Sequence, residues 1–379
     1  MSNIGKYALF EGVYKIIMYY PEIITPIIKV TESCNYTCKF CHYSNNGPNK
    51  FMNIDLCKEI ILQSVMYNSS CGKNVIKIIF HGGEPLLCGL DYFNEIVQFE
   101  KELCRNKYKG FSISNGIQTN GSLISNEWLE FFKNNDFNVG FSFDGDESLN
   151  FHYSDKKESL NKVILNYKES SNILKCGILS VITNEHINRS SEFFNFLISN
   201  NIHQLGLCFC FNEINNLSIS NNGLSKFLLE LFDLYFYGDY KINIREFRCI
   251  IAKLLKKDVS LCSMNERKKC GSYLTFDSIG NVFFCDIAFD KAKAIGNMDN
   301  SSISEIIMND KYQIERTTCM NNIKNCESNC NLFYICGGGC YRQDIIIDGK
   351  AQNYFCDCYK EIYSNIEKKV NHMMSHYKI

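Results

Sequence analysis

At 379 residues the chain is too long for one small domain and long enough for a barrel of six or eight βα units plus a smaller domain. Hydrophobic residues make up 45% and charged residues 21%, the balance of an ordinary globular protein rather than a disordered or fibrous one. A formal net charge of −1 supplies no global field for nucleic acid or an anionic membrane, so neither is expected as a partner.

The first residues, MSNIGKYALFEGVYKIIMYYPEII, lack the basic start, unbroken apolar core and small-residue cleavage site of a secretory signal. No stretch approaches ~18 apolar residues without a polar interruption, and a cytoplasmic location is expected. Residues 1–23 read as an N-terminal extension. From residue 24 to 240 short apolar or β-branched runs alternate with helical stretches. The runs are Ile24–Thr31, Val75–Phe80, Ser112–Gln118, Asn138–Phe143, Gly177–Thr183 and Gln204–Phe211. Helices are expected near 53–67, 91–104, 125–135, 157–174, 187–200 and 223–238. Such alternation is the pattern of parallel βα units. Six units predict an α/β fold, a partial (β/α)6 barrel of TIM type. Residues 241–379 form the second region, in which, past residue 255, cysteines become dense and strand-like pieces short (Tyr273–Phe276, Val282–Phe284). This reads as a small cysteine-rich domain held by metal, ending in a polar helix over Tyr359–Tyr377. The basic run Arg267-Lys268-Lys269 is expected on a solvated surface.

Polar words follow the runs: CNYTCKFC the first, HGGEP the second, TNG the third, DGD the fourth and TNE the fifth. In βα barrels the chemistry sits at the C-terminal ends of the strands. Turn chemistry alone explains TNG and TNE, but not three cysteines or a buried-looking Glu84.

The chain carries 21 cysteines. In a reducing compartment so many are not expected to form disulfides, which leaves metal ligands, reactive thiols and small buried apolar residues. Cys34, Cys38 and Cys41 form C-x3-C-x2-C. Three thiolates on a four-iron cluster leave one iron open, as three-ligand zinc sites leave a position for chemistry. A zinc site would need His42 as fourth ligand, and His42 follows Cys41 too closely to reach around. The C-terminal set is Cys262, Cys270, Cys285, Cys326, Cys330, Cys336, Cys340 and Cys356. Eight thiolates suffice for two fully ligated four-iron clusters or for two structural zinc ions. The other ten cysteines, among them Cys57, Cys104, Cys208 and Cys210, are expected as buried apolar residues.

CNYTCKFCHY resembles the signature of the radical S-adenosylmethionine (SAM) superfamily, and the later cysteines resemble its SPASM extension. The resemblance implies that the open iron binds SAM. Reductive cleavage then gives a 5′-deoxyadenosyl radical that abstracts hydrogen. It further implies that Gly82, Gly83 and Glu84 hold the SAM amino group. Asn115, Gln118, Thr119 and Asn120 would lie about its sugar or methionine. The cofactors implied are S-adenosyl-L-methionine and three [4Fe-4S] clusters. Cys262, Cys270, Cys285 and Cys340 would hold one auxiliary cluster, and Cys326, Cys330, Cys336 and Cys356 the other. The family has C-x2-C where this chain has Cys326-x3-Cys330, which makes Cys319 a possible substitute. An external one-electron donor of flavodoxin or ferredoxin type is also implied.

Two kinds of family member fit, and both act on a peptide or protein. Peptide maturases, which form thioether or carbon–carbon crosslinks or epimerise residues, come first. Anaerobic sulfatase-maturating enzymes, which oxidise Cys or Ser to formylglycine, come second. GIQTNGSLISNEWLEFF, Tyr43 two residues after Cys41, and Asp286 directly after Cys285 are similar to the second kind. So is a chain with no peptide-recognition domain before the barrel. The Asp286 position is there the proposed base. His81 before GGEP, where that kind has Gln, is common in the first. Asp286, Tyr43 and His81 are therefore the expected catalytic residues. A non-enzymatic iron–sulfur or zinc scaffold is the reading from another class. It would need neither an open iron nor GGEP.

Overall fold

The computed structural model describes residues 18–41, 50–150, 156–211, 216–286 and 293–377. Six parallel βα units run in order: β1 (Ile27–Thr31), α1 (Ile54–Ser70), β2 (Val75–Gly82), α2 (Gly89–Asn106), β3 (Ser112–Thr119), α3 (Asn126–Asn134), β4 (Asn138–Ser142), α4 (Lys156–Ser171), β5 (Cys176–Ile182), α5 (Ser190–Ser199), β6 (Gln204–Phe209) and α6 (Asn221–Tyr237). A two-residue strand β7 (Asn243–Ile244) and helix α7 (Arg245–Leu254) follow. The strands stand in sequence order from β1 to β7, each parallel to its neighbour. The expected α/β partial barrel is what the chain forms.

Alternation within the strands sets two faces. Ile76, Ile78 and Phe80 of β2 are buried, and Phe80 meets Phe93 of α2 edge-on at 5.3 Å. These residues face the helix layer. Lys77, Ile79 and His81 point the other way, into the lumen, because side chains along a strand alternate. An aromatic cluster of Phe93, Trp128, Phe131, Phe132 and Phe137 packs α2 and α3 against the sheet. Each ring buries a large apolar area, and edge-to-face pairs add about 0.5–1.5 kcal/mol each.

The C-terminal region extends the same sheet. Strands β8 (Thr275–Phe276), β9 (Asn281–Phe283) and β10 (Gly296–Asn297) continue it beyond β1, with β8 parallel to β1 and the next two antiparallel. The sheet has ten strands in all among the described residues. Helices α8 (Ile303–Met308), α9 (Asp310–Asn321), α10 (Lys324–Asn329) and α11 (Phe333–Cys336) follow, then a hairpin of β11 (Asp344–Ile347) and β12 (Lys350–Asn353), and the long α12 (Cys356–Tyr377). Among the described residues no helix is long and apolar enough to cross a membrane.

Candidate functional site

The ends of β1 and β2 are pressed together. The Gly83 amide donates to Thr31 O at 2.8 Å and the Glu84 amide to Ser33 O at 2.8 Å. A Cβ on Gly82 would stand 2.2 Å from Thr31 O, and one on Gly83 2.1 Å from Ser33 O. Only glycine permits this approach, and Gly82 also has φ of +128°. The two words GGEP and CNYTCKFC therefore form one surface.

Glu84 is fully buried. Its Oε1 accepts from the Leu86 amide at 3.0 Å and the Thr119 hydroxyl at 2.8 Å, and its Oε2 from the Asn120 amide at 2.8 Å. Burial pushes its pKa up to about 7 against the pull of these donors. Asn120 ties the third strand to the cysteine loop. Its Nδ2 donates to Asn35 Oδ1 at 2.8 Å and reaches Cys34 Sγ at 3.8 Å, and its Oδ1 accepts from the Ser122 amide and hydroxyl. Ser122 Oγ in turn accepts from Asn35 Nδ2 at 2.8 Å. Sequence reasoning missed Asn35 and Ser122, which carry no motif of their own.

Cys34, Cys38 and Cys41 come together. Burial, with Glu84 and Cys41 nearby, pushes the Cys34 thiol up to about 11 against the Tyr36 amide. Burial and then the Cys41 and Cys34 charges push Cys38 higher still, and Asp144 adds to them. Asp144 is a buried strand-end residue whose Oδ1 accepts from the Val181 amide at 2.7 Å. Tyr43 and His42 lie outside the described residues.

The lumen gathers a second group. Lys29 and His81 are register partners on β1 and β2. Lys29, with a side chain 3% exposed, reaches Asp286 Oδ1 at 2.9 Å. Burial disfavours the Asp286 anion, but Lys29 and His81 more than offset it and hold the carboxyl below its ordinary range. Burial lowers His81, Asp286 opposes this and Lys29 adds to it, and its Nδ1 accepts from the Gly82 amide at 2.7 Å. Gln118 shares this face, donating to Ser142 Oγ at 2.7 Å. Lys29 is a residue the sequence reading missed. Its signal was a lone charge inside the apolar run IIKVT.

Asn115 is a correction. It pairs in register with Ile78, a helix-facing residue, and its Nδ2 donates to Glu100 Oε2 of α2 at 2.6 Å. Its side chain is thus on the sheet face opposite Gln118 and takes no part in the site. Cys208 is another: it is exposed, not buried, whereas Cys57 and Cys210 are buried.

The eight later cysteines fall into two groups. Cys340 lies among Cys285, Cys262 and Cys270, and burial first, then their charges, raise it to about 12. Cys336 lies among Cys356, Cys326 and Cys330 and is raised to about 12 for the same reasons. Cys319, a possible substitute ligand in the sequence reading, sits against Cys270 of the first group. Among the described residues no three His, Cys, Asp or Glu close round a single metal ion.

A loop of three cysteines at the end of β1, locked to a buried glutamate at the end of β2, defines a class. Residues 28–188, which carry that loop and that glutamate, match the model of the radical SAM superfamily and form a radical SAM domain. Over 373 residues, 91% of this chain and 96% of the relative, it is 29% identical to the Cysteine-type anaerobic sulfatase-maturating enzyme of Clostridium novyi. Its fold is shared by the solved structure of histidine-tagged anSMEcpe with bound AdoMet, at TM-score 0.80 and 24% identity over 93% of this chain and 96% of that one. SuiB of Streptococcus suis, bound to S-adenosylmethionine, shares it at TM-score 0.60 and 19% identity over 84% and 73%.

Proposed function

We propose that the chain oxidises a cysteine or serine side chain of a protein to formylglycine, as an anaerobic sulfatase-maturating enzyme. The observation that carries this is the placement of Asp286. It follows Cys285 in sequence and stands in the lumen against Lys29 and His81. The end-to-end likeness to the Clostridium relative supports the same reading. Peptide crosslinking, which the sequence puts first, now rests on His81.

The donor sets fit the implied groups. Three groups of thiols are gathered, one around Cys38, one around Cys340 and one around Cys336, and thiolates are the standard ligands of iron–sulfur clusters. Cys34, Cys38 and Cys41 would hold the first cluster, with Glu84, Gly82 and Gly83 about the SAM ammonium and Gln118, Thr119 and Asn120 beyond. Cys262, Cys270, Cys285 and Cys340 would hold one auxiliary cluster, and Cys326, Cys330, Cys336 and Cys356 the other. When bound, these groups supply hydrogen-atom abstraction and an acceptor for one electron.

The protein's own part is positional. After a hydrogen atom leaves the substrate Cβ, one electron and one proton must still leave to form the C=S or C=O bond. Asp286, kept ionised by Lys29, is the acceptor for that proton. The test is an anaerobic, reduced reaction with a peptide spanning the modified cysteine of a sulfatase. The expected product is an aldehyde that a hydrazine reagent labels. A crosslinked product with no aldehyde would move the assignment to the peptide maturases.

A further inference from the structure

The run Arg267-Lys268-Lys269, expected at a solvated surface, contains a buried arginine: Arg267 is 2% exposed. All five of its N–H donors are engaged. Nε donates to Gly339 O at 3.3 Å. Nη1 donates to Cys319 O at 3.3 Å and Asp344 Oδ2 at 2.7 Å, and Nη2 to Gly338 O at 2.9 Å and Asp344 Oδ1 at 2.6 Å. Asn322 donates to the same carboxylate at 3.0 Å. Asp344 is itself 7% exposed, so this is a buried bidentate ion pair.

Its place in the chain is unusual. Arg267 lies between Cys262 and Cys270, and its own carbonyl accepts from the Cys270 amide at 3.0 Å. Two of the three carbonyls it binds belong to Gly338 and Gly339, between Cys336 of one thiol group and Cys340 of the other, and the third is that of Cys319. Gly337, Gly338 and Gly339 have φ of +61°, +84° and +68°, and Glu266 and Arg267 have +50° and +54°. Left-handed backbone at two successive non-glycine residues costs of order 1–3 kcal/mol each. The surrounding contacts hold it in place. The other cations near the thiols each serve one group. Arg342 bonds Cys285, and Lys360 faces Cys356 and Cys326. Arg267 alone of these acts on thiols of both groups, Cys270 and Cys326.

We propose that the Arg267–Asp344 pair is a charge device shared by the two auxiliary cluster sites, setting the reduction potentials of both together. This rests on reading the eight thiols as cluster ligands. A buried guanidinium stabilises the more negative, reduced cluster and raises its potential, and the carboxylate beside it opposes this. The pair thus links the electron acceptor next to Asp286 with the cluster beyond it.

The test is an EPR-monitored redox titration of the anaerobically reconstituted full chain. Arg267→Gln leaves Asp344 uncompensated, and both auxiliary potentials should fall by about tenfold in the one-electron equilibrium, or about 59 mV. Asp344→Asn should raise both. Arg267→Lys should stay near the parent, and the cluster on Cys34, Cys38 and Cys41 should not move in any variant. A merely structural clamp cannot give shifts of opposite sign. If Arg267→Gln fails to load iron, Asp344→Asn decides alone. Fully loaded Asp344→Asn with unmoved auxiliary potentials, or with one cluster moved and the other not, overturns the proposal. Metal analysis of the parent comes first. A parent with no auxiliary iron overturns the cluster reading itself, and the shared device with it.

Discussion

Glu84 accepts from three donors in three different places, Leu86, Thr119 and Asn120. That already gives it a structural duty at the seam of β2 and β3. The remaining lone-pair position on Oε2 is what an ammonium group would use. Glu84→Gln keeps the side-chain shape and loses the charge. A charge-assisted hydrogen bond contributes about 1.5–3 kcal/mol, so SAM binding should weaken about 10- to 100-fold. Equilibrium dialysis against the cluster-loaded protein checks this, with iron content held at the parent value. Unchanged affinity would remove Glu84 from the SAM site. Asn115, on the strand that carries Gln118 and Thr119, shows how a strand residue can be misread. Its partners in the period-2 pattern are Ile113 and Ile117, not Gln118, and that alternation was available in SISNGIQT. A motif-based reading overrode it.

Between α2 and β3, Asn115 and Glu100 form a buried polar pair in an otherwise apolar seam. Glu100 Oε1 and Asn115 Oδ1 have no hydrogen-bond partner among the described residues. Burial pushes Glu100 up to about 7, with Asn115 and Lys101 pulling the other way. The folded value lies above the unfolded one, so the folded state holds the extra proton. Stability is therefore fully present below about pH 4.5 and is lost as pH rises through about 7. Glu100→Gln supplies a permanent amide donor toward Asn115 Oδ1. Urea unfolding at pH 8 should find the variant more stable by on the order of 2 kcal/mol, with the difference vanishing near pH 5. A variant no more stable than the parent at pH 8 would contradict this. At this scale the six βα units were legible, because each strand run and each helix has its own local period. β7 was not: two residues carry no period. Nor was the pairing of β8 with β1, which joins segments far apart in sequence and is settled by packing alone.

Across the whole molecule, the two thiol-rich regions meet on one sheet. β8 and β9 continue it from β1, and Cys285 follows β9 closely, so Asp286 is carried to the lumen beside Lys29. The grouping of the auxiliary cysteines could be written from family spacing. Arg267 and Lys29 could not, because a buried cation is recognised only when its partners are in place, and those partners are Asp344 and Asp286. If the eleven cysteines proposed above as ligands hold three four-iron sites, anaerobically reconstituted protein should carry about twelve irons. Changing Cys34, Cys38 and Cys41 to Ala should lower this to about eight. Iron near four in the intact protein, with zinc making up the rest, would contradict the auxiliary sites.

The central claim is that the lumen carboxylate at the auxiliary thiols completes the oxidation of the substrate carbon. Asp286→Asn tests it most directly, with deoxyadenosine and product measured in the same anaerobic reaction. Iron content and SAM cleavage should stay at parent levels, with product formation lower by at least about a hundredfold, the low end of general-base contributions. Normal turnover by Asp286→Asn, or loss of auxiliary iron in place of a selective loss of product, would contradict it.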